Sequence, residues 1–146
     1  MTKLIRQAGA VWKGDLRKGN GVISTESTVL ARVPYSFSTR FENEPGTNPE
    51  ELIAAAHAAC YAMAFANTLA KKGYTPESID IYAACVLEKQ DTGFAITRIK
   101  LRARGVVPDI DSDTFSQVAK EADKGCPVSN LLRPGVVIEH ETELLS

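Results

Sequence analysis

The sequence predicts an α+β domain in which antiparallel sheets accompany one long helix and a shorter second one. Three observations lead to this prediction. The stretch 49–72 is apolar, rich in alanine and flanked by residues that cap helices. Residues 91–93 are Asp-Thr-Gly, a strong hairpin signal, and they lie between two segments with strand character. Residues 112–124 repeat apolar side chains at helical spacing.

The N-terminal third reads as β-rich. Segments 5–13, 21–27 and 28–33 are predicted as strands. Residues 35–41 alternate aromatic and polar side chains, which also favours an extended strand.

The long helix has a signal at each end. Asn48 is predicted to cap it, and Pro49 fits the first helical position, where no N–H is needed. Gly73 is predicted to end it. Glu51 stands three residues after the cap, where a capping-box carboxylate belongs, which leaves Glu50 free for another role.

The C-terminal half is predicted to continue with a hairpin, a helix and a last strand. The hairpin strands are 78–90 and 94–107, and the last strand is 136–145. Basic and acidic residues alternate on two of these strands, so both sets are expected to face solvent from neighbouring strands. The sets are Arg98, Lys100, Arg102 and Arg104, and Glu139, Glu141 and Glu143.

Length and composition limit the class of protein. The 146 residues are predicted to form a single domain, 1–146. With 17 basic and 18 acidic residues, the chain gives no electrostatic reason to expect binding to nucleic acid or to an anionic membrane. No segment reads as a signal sequence or approaches the ~20 apolar residues of a membrane span. Three cysteines do not suggest a secreted disulfide framework, so a cytoplasmic protein is expected.

The three cysteines stand in different settings. Cys60 lies among alanines in the long helix, one turn after His57. Cys126 lies between a glycine and a proline, at the predicted start of a short helix, where the helix dipole favours a thiolate. Cys85 is in phase with the apolar residues of its strand and is predicted to be an unreactive core residue.

From the residues alone, several roles stay open. Cys60 is either a nucleophile or a small buried apolar residue, and His57 is a base for Cys60, a zinc ligand or a core histidine. With Cys126, these residues offer three zinc ligands, but there is no Cys-x-x-Cys and no second histidine pair. A zinc-binding or redox-sensing regulatory protein is therefore an alternative function, and a purely structural domain is another.

Two motifs surround the cysteines: TNPEELI at 47–53 with AAHAAC at 55–60, and GCPVS at 125–129. In this order they resemble the OsmC/Ohr family of thiol-dependent hydroperoxide reductases. Further similarity extends over nearly the whole chain, at WKGD 12–15, STES 24–27, YSFSTRF 35–41 and GFAIT 93–97. The last three resemble the osmotically inducible protein C branch more than the organic hydroperoxide resistance branch.

The resemblance implies a fold and four site residues. The fold is antiparallel sheets wrapped around a long central helix in an intertwined homodimer. Cys60 matches the peroxidatic cysteine and Cys126 the resolving cysteine, although the helix dipole alone favours Cys126 as the nucleophile. Glu50 matches the glutamate that holds an arginine beside the thiolate. Arg40 is the predicted arginine, with Arg17 as the alternative.

The implied activity is a peroxidase of the oxidative or osmotic stress response, reducing organic hydroperoxides and, more weakly, hydrogen peroxide. Cys60 forms a sulfenic acid, Cys126 condenses with it to a disulfide, and an external dihydrolipoyl thiol, free or on a lipoylated carrier protein, reduces the disulfide. No metal or other cofactor is expected. Glu50 and Cys60 are ten positions apart, or about 15 Å along one helix, which predicts that Glu50 acts on the partner subunit's Cys60.

Overall fold

The computed structural model describes residues 2–145 and confirms the α+β class. The elements in chain order are β1 (Ala8–Lys13), β2 (Asn20–Thr25), β3 (Val33–Tyr35), α1 (Phe37–Phe41), α2 (Pro49–Lys71), β4 (Ser78–Gln90), β5 (Gly93–Val106), α3 (Ser112–Lys124), α4 (Pro127–Leu132), a 3-10 turn (Arg133–Gly135) and β6 (Val137–Leu145). The chain divides into an N-terminal unit that ends at Leu52 and a C-terminal unit that begins at Ile53.

The N-terminal unit contains an antiparallel sheet in the order β1–β2–β3, followed by α1 and the first turn of α2. The rings of Trp12 and Tyr35 pack with 5.4 Å between their centroids. A Cβ at Gly21 would come within 2.6 Å of the Tyr35 ring and 2.7 Å of the Trp12 ring. Glycine at this position therefore allows the two rings to pack over β2.

Two segments of this unit differ from the prediction. Residues 28–32 form bends rather than a strand, and 35–41 is mostly helical because it contains α1. The cause is the capping of α1. The side chain of Ser36 accepts the N–H of Thr39 at 3.2 Å, while the Thr39 hydroxyl accepts the N–H of Ser36 at 2.9 Å. This reciprocal pair favours a helical turn over the extended form that the alternation suggested.

The long helix α2 begins and ends as predicted. The side-chain oxygen of Asn48 accepts the N–H of Glu51 at 2.8 Å. At the other end Gly73 has φ +89°, and the N–H of Tyr74 donates to the carbonyl of Leu69 at 3.0 Å. These contacts form a Schellman-type stop, which needs a left-handed residue at the glycine.

The composition of α2 corrects one expectation. By length and composition alone this helix is apolar enough to cross a membrane. Three of its side chains, Tyr61, Phe65 and Leu69, are instead fully buried in the core of the C-terminal unit. This burial is typical of the central helix of a globular core.

The C-terminal unit has a three-stranded sheet in the order β4–β5–β6. The predicted hairpin β4–β5 is antiparallel, but β5 and β6 pair in parallel, so this sheet is mixed. The intervening α3 and α4 supply the long crossover that a parallel pair needs. The helices α2 and α3 and the inner face of β5 together form the core.

The charged faces of β5 and β6 lie as predicted. Ile99, Leu101 and Ala103 are buried, whereas the four basic residues that alternate with them are exposed. Two of these reach β6 in exposed ion pairs, Arg98–Glu139 at 3.3 Å and Arg104–Glu143 at 3.2 Å. Such exposed pairs contribute little to the free energy of unfolding, so we interpret this surface as a solvent-exposed face of the sheet.

Candidate active site

Two thiols meet in the C-terminal unit. Cys60 lies in the middle of α2, Cys126 lies at the start of α4, and their sulfur atoms are 3.3 Å apart with both cysteines free. Cys126 is fully buried and Cys60 is half-buried. An S–S bond is about 2.05 Å long. The two sulfurs are therefore close enough for a disulfide to form after a small approach, provided that an oxidant accepts the two electrons and the two thiol protons are released.

Local structure brings Cys126 to this place. Helix α3 ends at Gly125, whose N–H donates to the carbonyls of Glu121 and Ala122 at 3.1 Å. Pro127 then begins α4 with Cys126 as its N-cap. The Cys126 sulfur accepts the backbone N–H of Ser129 at 3.5 Å. The helix start at Cys126 agrees with the prediction from its glycine and proline neighbours.

The pKa of the Cys60 thiol is raised. Burial is the largest cause, and the neighbouring Cys126 thiol adds to it, while the backbone N–H of Val128 acts in the opposite direction. A raised pKa reduces the thiolate fraction at neutral pH and so weakens the nucleophile. Within this unit, the surroundings of Cys60 do not by themselves activate it.

His57 is a buried core histidine with one strong contact. Its Nε2 lies 2.6 Å from the hydroxyl of Ser129, and neither residue is exposed. Burial lowers the pKa of His57, the carboxylate of Asp123 raises it, and His140 and Arg133 lower it. His57 is therefore neutral at pH 7.

The zinc alternative gains no support from this arrangement. Within residues 2–145, no group of three or more His, Cys, Asp or Glu side chains could hold a metal ion. The Nε2 atom of His57 is already engaged by Ser129.

A buried carboxylate lies beside this pair. One oxygen of Asp123 is 2.9 Å from Arg133 Nη2 and 3.2 Å from His140 Nε2. Burial opposes ionisation of Asp123 and is the largest single influence on its pKa. The hydrogen bonds from Ser129, His140 and Arg133 nevertheless hold this pKa below its ordinary value. Sequence reasoning did not single out any of these four residues, although Ser129 lies within the GCPVS motif.

In the N-terminal unit, an arginine and a glutamate form a close pair. Arg40 Nη2 lies 2.7 Å from Glu50 Oε1, and Arg40 Nε lies 3.1 and 3.2 Å from the two carboxylate oxygens. The Glu50 side chain is only 9% exposed. The alternative arginine, Arg17, lies over the ring of Phe37 at 4.8 Å. Of the two arginines that the sequence suggested, Arg40 is thus the one that Glu50 binds.

The same unit has an apolar cavity of about 380 Å³. Half of its lining residues are aromatic, and the lining includes the paired arginine: Trp12, Gly14, Leu16, Tyr35, Ser36, Phe37, Arg40 and Phe41. The cavity therefore offers an apolar surface next to a guanidinium group, a combination suited to a molecule with an organic body and a polar end.

The family described as OsmC-like protein matches residues 41–141 of the sequence. This chain belongs to the OsmC family. The matched region contains Glu50, Cys60 and Cys126 and begins one residue after Arg40. The family expected from the sequence is thus confirmed, and the branch is confirmed by 49% identity to a Peroxiredoxin OsmC against 33% to an organic hydroperoxide resistance protein.

Known relatives cover most of the chain. It is 49% identical over 136 residues to Peroxiredoxin OsmC of Escherichia coli (strain K12), covering 93% of this chain and 95% of that protein. It is 33% identical over 121 residues to the Organic hydroperoxide resistance protein of Xanthomonas axonopodis pv. citri (strain 306), covering 82% of each. The crystal structure of OhrB of Bacillus subtilis has a TM-score of 0.71 at 23% identity, covering 94% of this chain and 98% of that one. The structural likeness shows that the OsmC-family fold is shared.

Proposed function

We propose that this OsmC-family peroxidase reduces organic hydroperoxides through a Cys60 sulfenic acid and a Cys60–Cys126 disulfide. The observation that carries the proposal is the 3.3 Å distance between the two sulfur atoms. The peroxidase class is supported by the identity to a named peroxiredoxin over nearly the whole of both chains. The organic substrate is supported by the relative named for organic hydroperoxide resistance and by the apolar cavity.

The proposed reaction balances in two steps. The Cys60 thiolate attacks the terminal oxygen of ROOH, the O–O bond breaks, and the alkoxide leaves and takes a proton to become ROH. Cys60 is then a sulfenic acid. The Cys126 sulfur attacks the Cys60 sulfur, an S–S bond forms, and the hydroxyl leaves as water with the thiol proton. The two electrons that reduce the hydroperoxide come from the two thiols.

The proposed thiolate needs a positive group, because burial raises the pKa of Cys60. We assign this role to Arg40, held in place by Glu50, with which it makes three close contacts. A guanidinium beside the sulfur favours thiolate and also stabilises negative charge on the departing oxygen. Glu50 and Cys60 are ten positions apart on one helix, about 15 Å along its axis. The proposed target of the pair is therefore the partner subunit's Cys60.

A homodimer is further supported by the burial of the N-terminal unit. Among residues 2–52, only Gly21 and Glu50 are buried. A sheet with so little burial within one chain needs another surface to cover it. In the C-terminal unit Met63 on α2 is 75% exposed, and Ala59, one turn before it, is exposed as well. The exposed alanines of α2, Ala55, Ala56 and Ala59, leave room for a second helix to approach closely.

The apolar cavity is the proposed site for the organic group of the substrate. Burial of one CH₂ group contributes about 0.8 kcal/mol, so an alkyl or aryl hydroperoxide gains binding energy that hydrogen peroxide lacks. The paired arginine among the lining residues places a positive charge near the peroxide end in this arrangement.

The proposed reductant is a dihydrolipoyl group, free or on a lipoylated carrier protein. A disulfide takes two electrons, and a dithiol supplies both and leaves as a cyclic disulfide. This assignment rests on the family resemblance, whereas the proposed cytoplasmic location rests on the three cysteines, which do not suggest a secreted disulfide framework. The proposed cycle needs no metal, haem or flavin.

A steady-state assay tests substrate and reductant together. Cumene hydroperoxide is compared with hydrogen peroxide, each with dihydrolipoamide and with a thioredoxin system. We expect kcat/KM to be at least about tenfold higher for cumene hydroperoxide, with dihydrolipoamide as the better reductant. Equal values for the two peroxides would contradict the organic specificity. As a matched variant, Leu16→Ala shortens the cavity lining at a residue that is 57% exposed, and it should reduce the preference without affecting folding.

A further inference from the structure

We propose that His57 and Ser129 are positioning residues whose buried hydrogen bond ties α2 to the first turn of α4 and so holds Cys126 against Cys60. This inference rests on the proposed disulfide chemistry. It concerns two residues that take no part in the bond changes of that chemistry.

The geometry of the two helical turns carries the proposal. His57 precedes Cys60 by three residues, and Ser129 follows Cys126 by three residues. The same two turns therefore meet at two points. One is the sulfur–sulfur contact of 3.3 Å, and the other is the 2.6 Å contact between His57 Nε2 and the Ser129 hydroxyl. Two contacts fix the relative position of two turns far better than one.

The hydrogen bond between His57 and Ser129 is buried, so its loss carries a large energetic cost. Both side chains are fully buried, and a buried polar group that loses its partner costs far more than an exposed one. His57 stands in a helix whose neighbouring positions are filled by alanine. An apolar side chain at position 57 would fill the core without requiring a hydrogen-bond partner. The polar pair therefore contributes a specific orientation of the two helical turns and not additional apolar burial.

The same turn of α4 also supplies an N–H to each sulfur. Ser129 donates its backbone N–H to Cys126 at 3.5 Å, and the N–H of Val128 opposes the rise in the pKa of Cys60. A displacement of α4 would weaken both interactions. Ser129 is one of these two donors, and its hydroxyl is also the group that contacts His57 of α2.

Charged groups from three other elements face this pair. They are Asp123 on α3, Arg133 in the 3-10 turn and His140 on β6. Burial keeps His57 neutral among them, since it lowers the pKa of this residue. The bond to Ser129 is therefore a neutral contact at pH 7.

Loss of the bond should change the fate of the Cys60 sulfenic acid. In the intact protein Cys126 condenses with it and releases water. When α4 is free to shift, this step slows, and a second ROOH transfers an oxygen atom to the sulfenic acid instead, giving sulfinic acid and ROH. The partition between disulfide and sulfinic acid therefore reports on positioning.

Four proteins test the proposal: wild type, Ser129→Ala, His57→Gln and Tyr61→Phe. Tyr61→Phe is the matched control, because it also removes a buried hydrogen bond of α2, from the Tyr61 hydroxyl to the carbonyl of Ala119 at 2.9 Å. His57→Gln retains an amide that can reach Ser129. Each reduced protein is exposed to excess cumene hydroperoxide, and disulfide and sulfinic acid are quantified by mass spectrometry. We expect about tenfold more sulfinic acid in Ser129→Ala than in the control, and a partial return towards wild type in His57→Gln.

A second readout separates this inference from the proposed function. The rate at which iodoacetamide alkylates Cys126 in the reduced proteins needs no peroxide, and it should rise in Ser129→Ala but not in Tyr61→Phe, because Cys126 is fully buried when α4 is held. Absence of a disulfide in wild type would contradict the proposed function, while the alkylation rates would still decide the positioning role. Equal alkylation rates in Ser129→Ala and Tyr61→Phe would overturn the inference.

Discussion

At the scale of single residues, we expect His57 to make the free energy of unfolding depend on pH. Its pKa is lowered by burial, whereas an unfolded chain binds the proton with a pKa of about 6.5. Below that value the unfolded state takes up more protons than the folded state, so the free energy of unfolding falls as the pH falls. Asp123 affects the free energy of unfolding in a separate, more acidic pH range. Its lowered pKa contributes stability that is lost only in more acidic solution, below about 3.8.

The His57 contribution is measured by urea unfolding between about pH 7.5 and about pH 5. We expect the free energy of unfolding of wild type to fall by up to about 1.4 kcal/mol per pH unit below pH 6.5. In His57→Gln this part of the slope should be absent. His140, the other histidine, is present in both proteins, so the difference isolates His57. Parallel profiles for the two proteins would show that His57 titrates alike in the folded and unfolded states.

The residues of the site were predictable to different degrees. Cys60, Cys126 and Glu50 lie in motifs that the sequence displays, and Glu50 stood out because the cap of α2 left it without a structural duty. Ser129 and His57 form a pair that spans 72 positions. No local pattern encodes such a contact, because it arises from the packing of α4 on α2.

At the scale of elements, α1 carries Arg40 in its last turn and depends on its cap. Ser36→Ala removes the side chain that accepts the Thr39 N–H, and loss of an N-cap costs about 1 kcal/mol. We expect this loss in the free energy of unfolding and a lower peroxidase rate, because the position of Arg40 becomes less fixed. Ser38→Ala is the control: this serine lies on the same helix, and its hydroxyl donates to the exposed Glu42 side chain. Equal effects of the two variants would show that the cap does not position Arg40.

Local signals explain which elements were predicted correctly. The α2 caps, the β4–β5 hairpin and α3 have motifs within a few residues of sequence, and all three are confirmed. The short α1 was missed because its capping box uses Thr39, not the glutamate or glutamine typical of this motif. The parallel pairing of β6 was also missed, since strand direction depends on the crossover through α3 and α4 and not on the strand itself.

At the scale of the whole molecule, the proposed dimer makes a prediction about shared sites. Cys60→Ser and Glu50→Ala chains, each inactive alone, are combined by co-expression or refolding. If Glu50 acts across the interface, each mixed dimer has one site with both defects and one intact site. Random assortment should then return about one quarter of the wild-type activity per chain. If Glu50 acts within its own chain, both sites carry a defect and no activity returns.

The proposed Cys60–Cys126 disulfide is tested most directly by peptide mapping of wild-type protein after one equivalent of cumene hydroperoxide. We expect a single disulfide within one chain, between Cys60 and Cys126, with Cys85 remaining reduced. In the same measurement, Cys126→Ser should consume about one equivalent and hold Cys60 as sulfenic acid or a mixed disulfide, while Cys60→Ser should consume none. Intact thiols at Cys60 and Cys126 in wild type, or a disulfide that includes Cys85, would contradict the proposed mechanism.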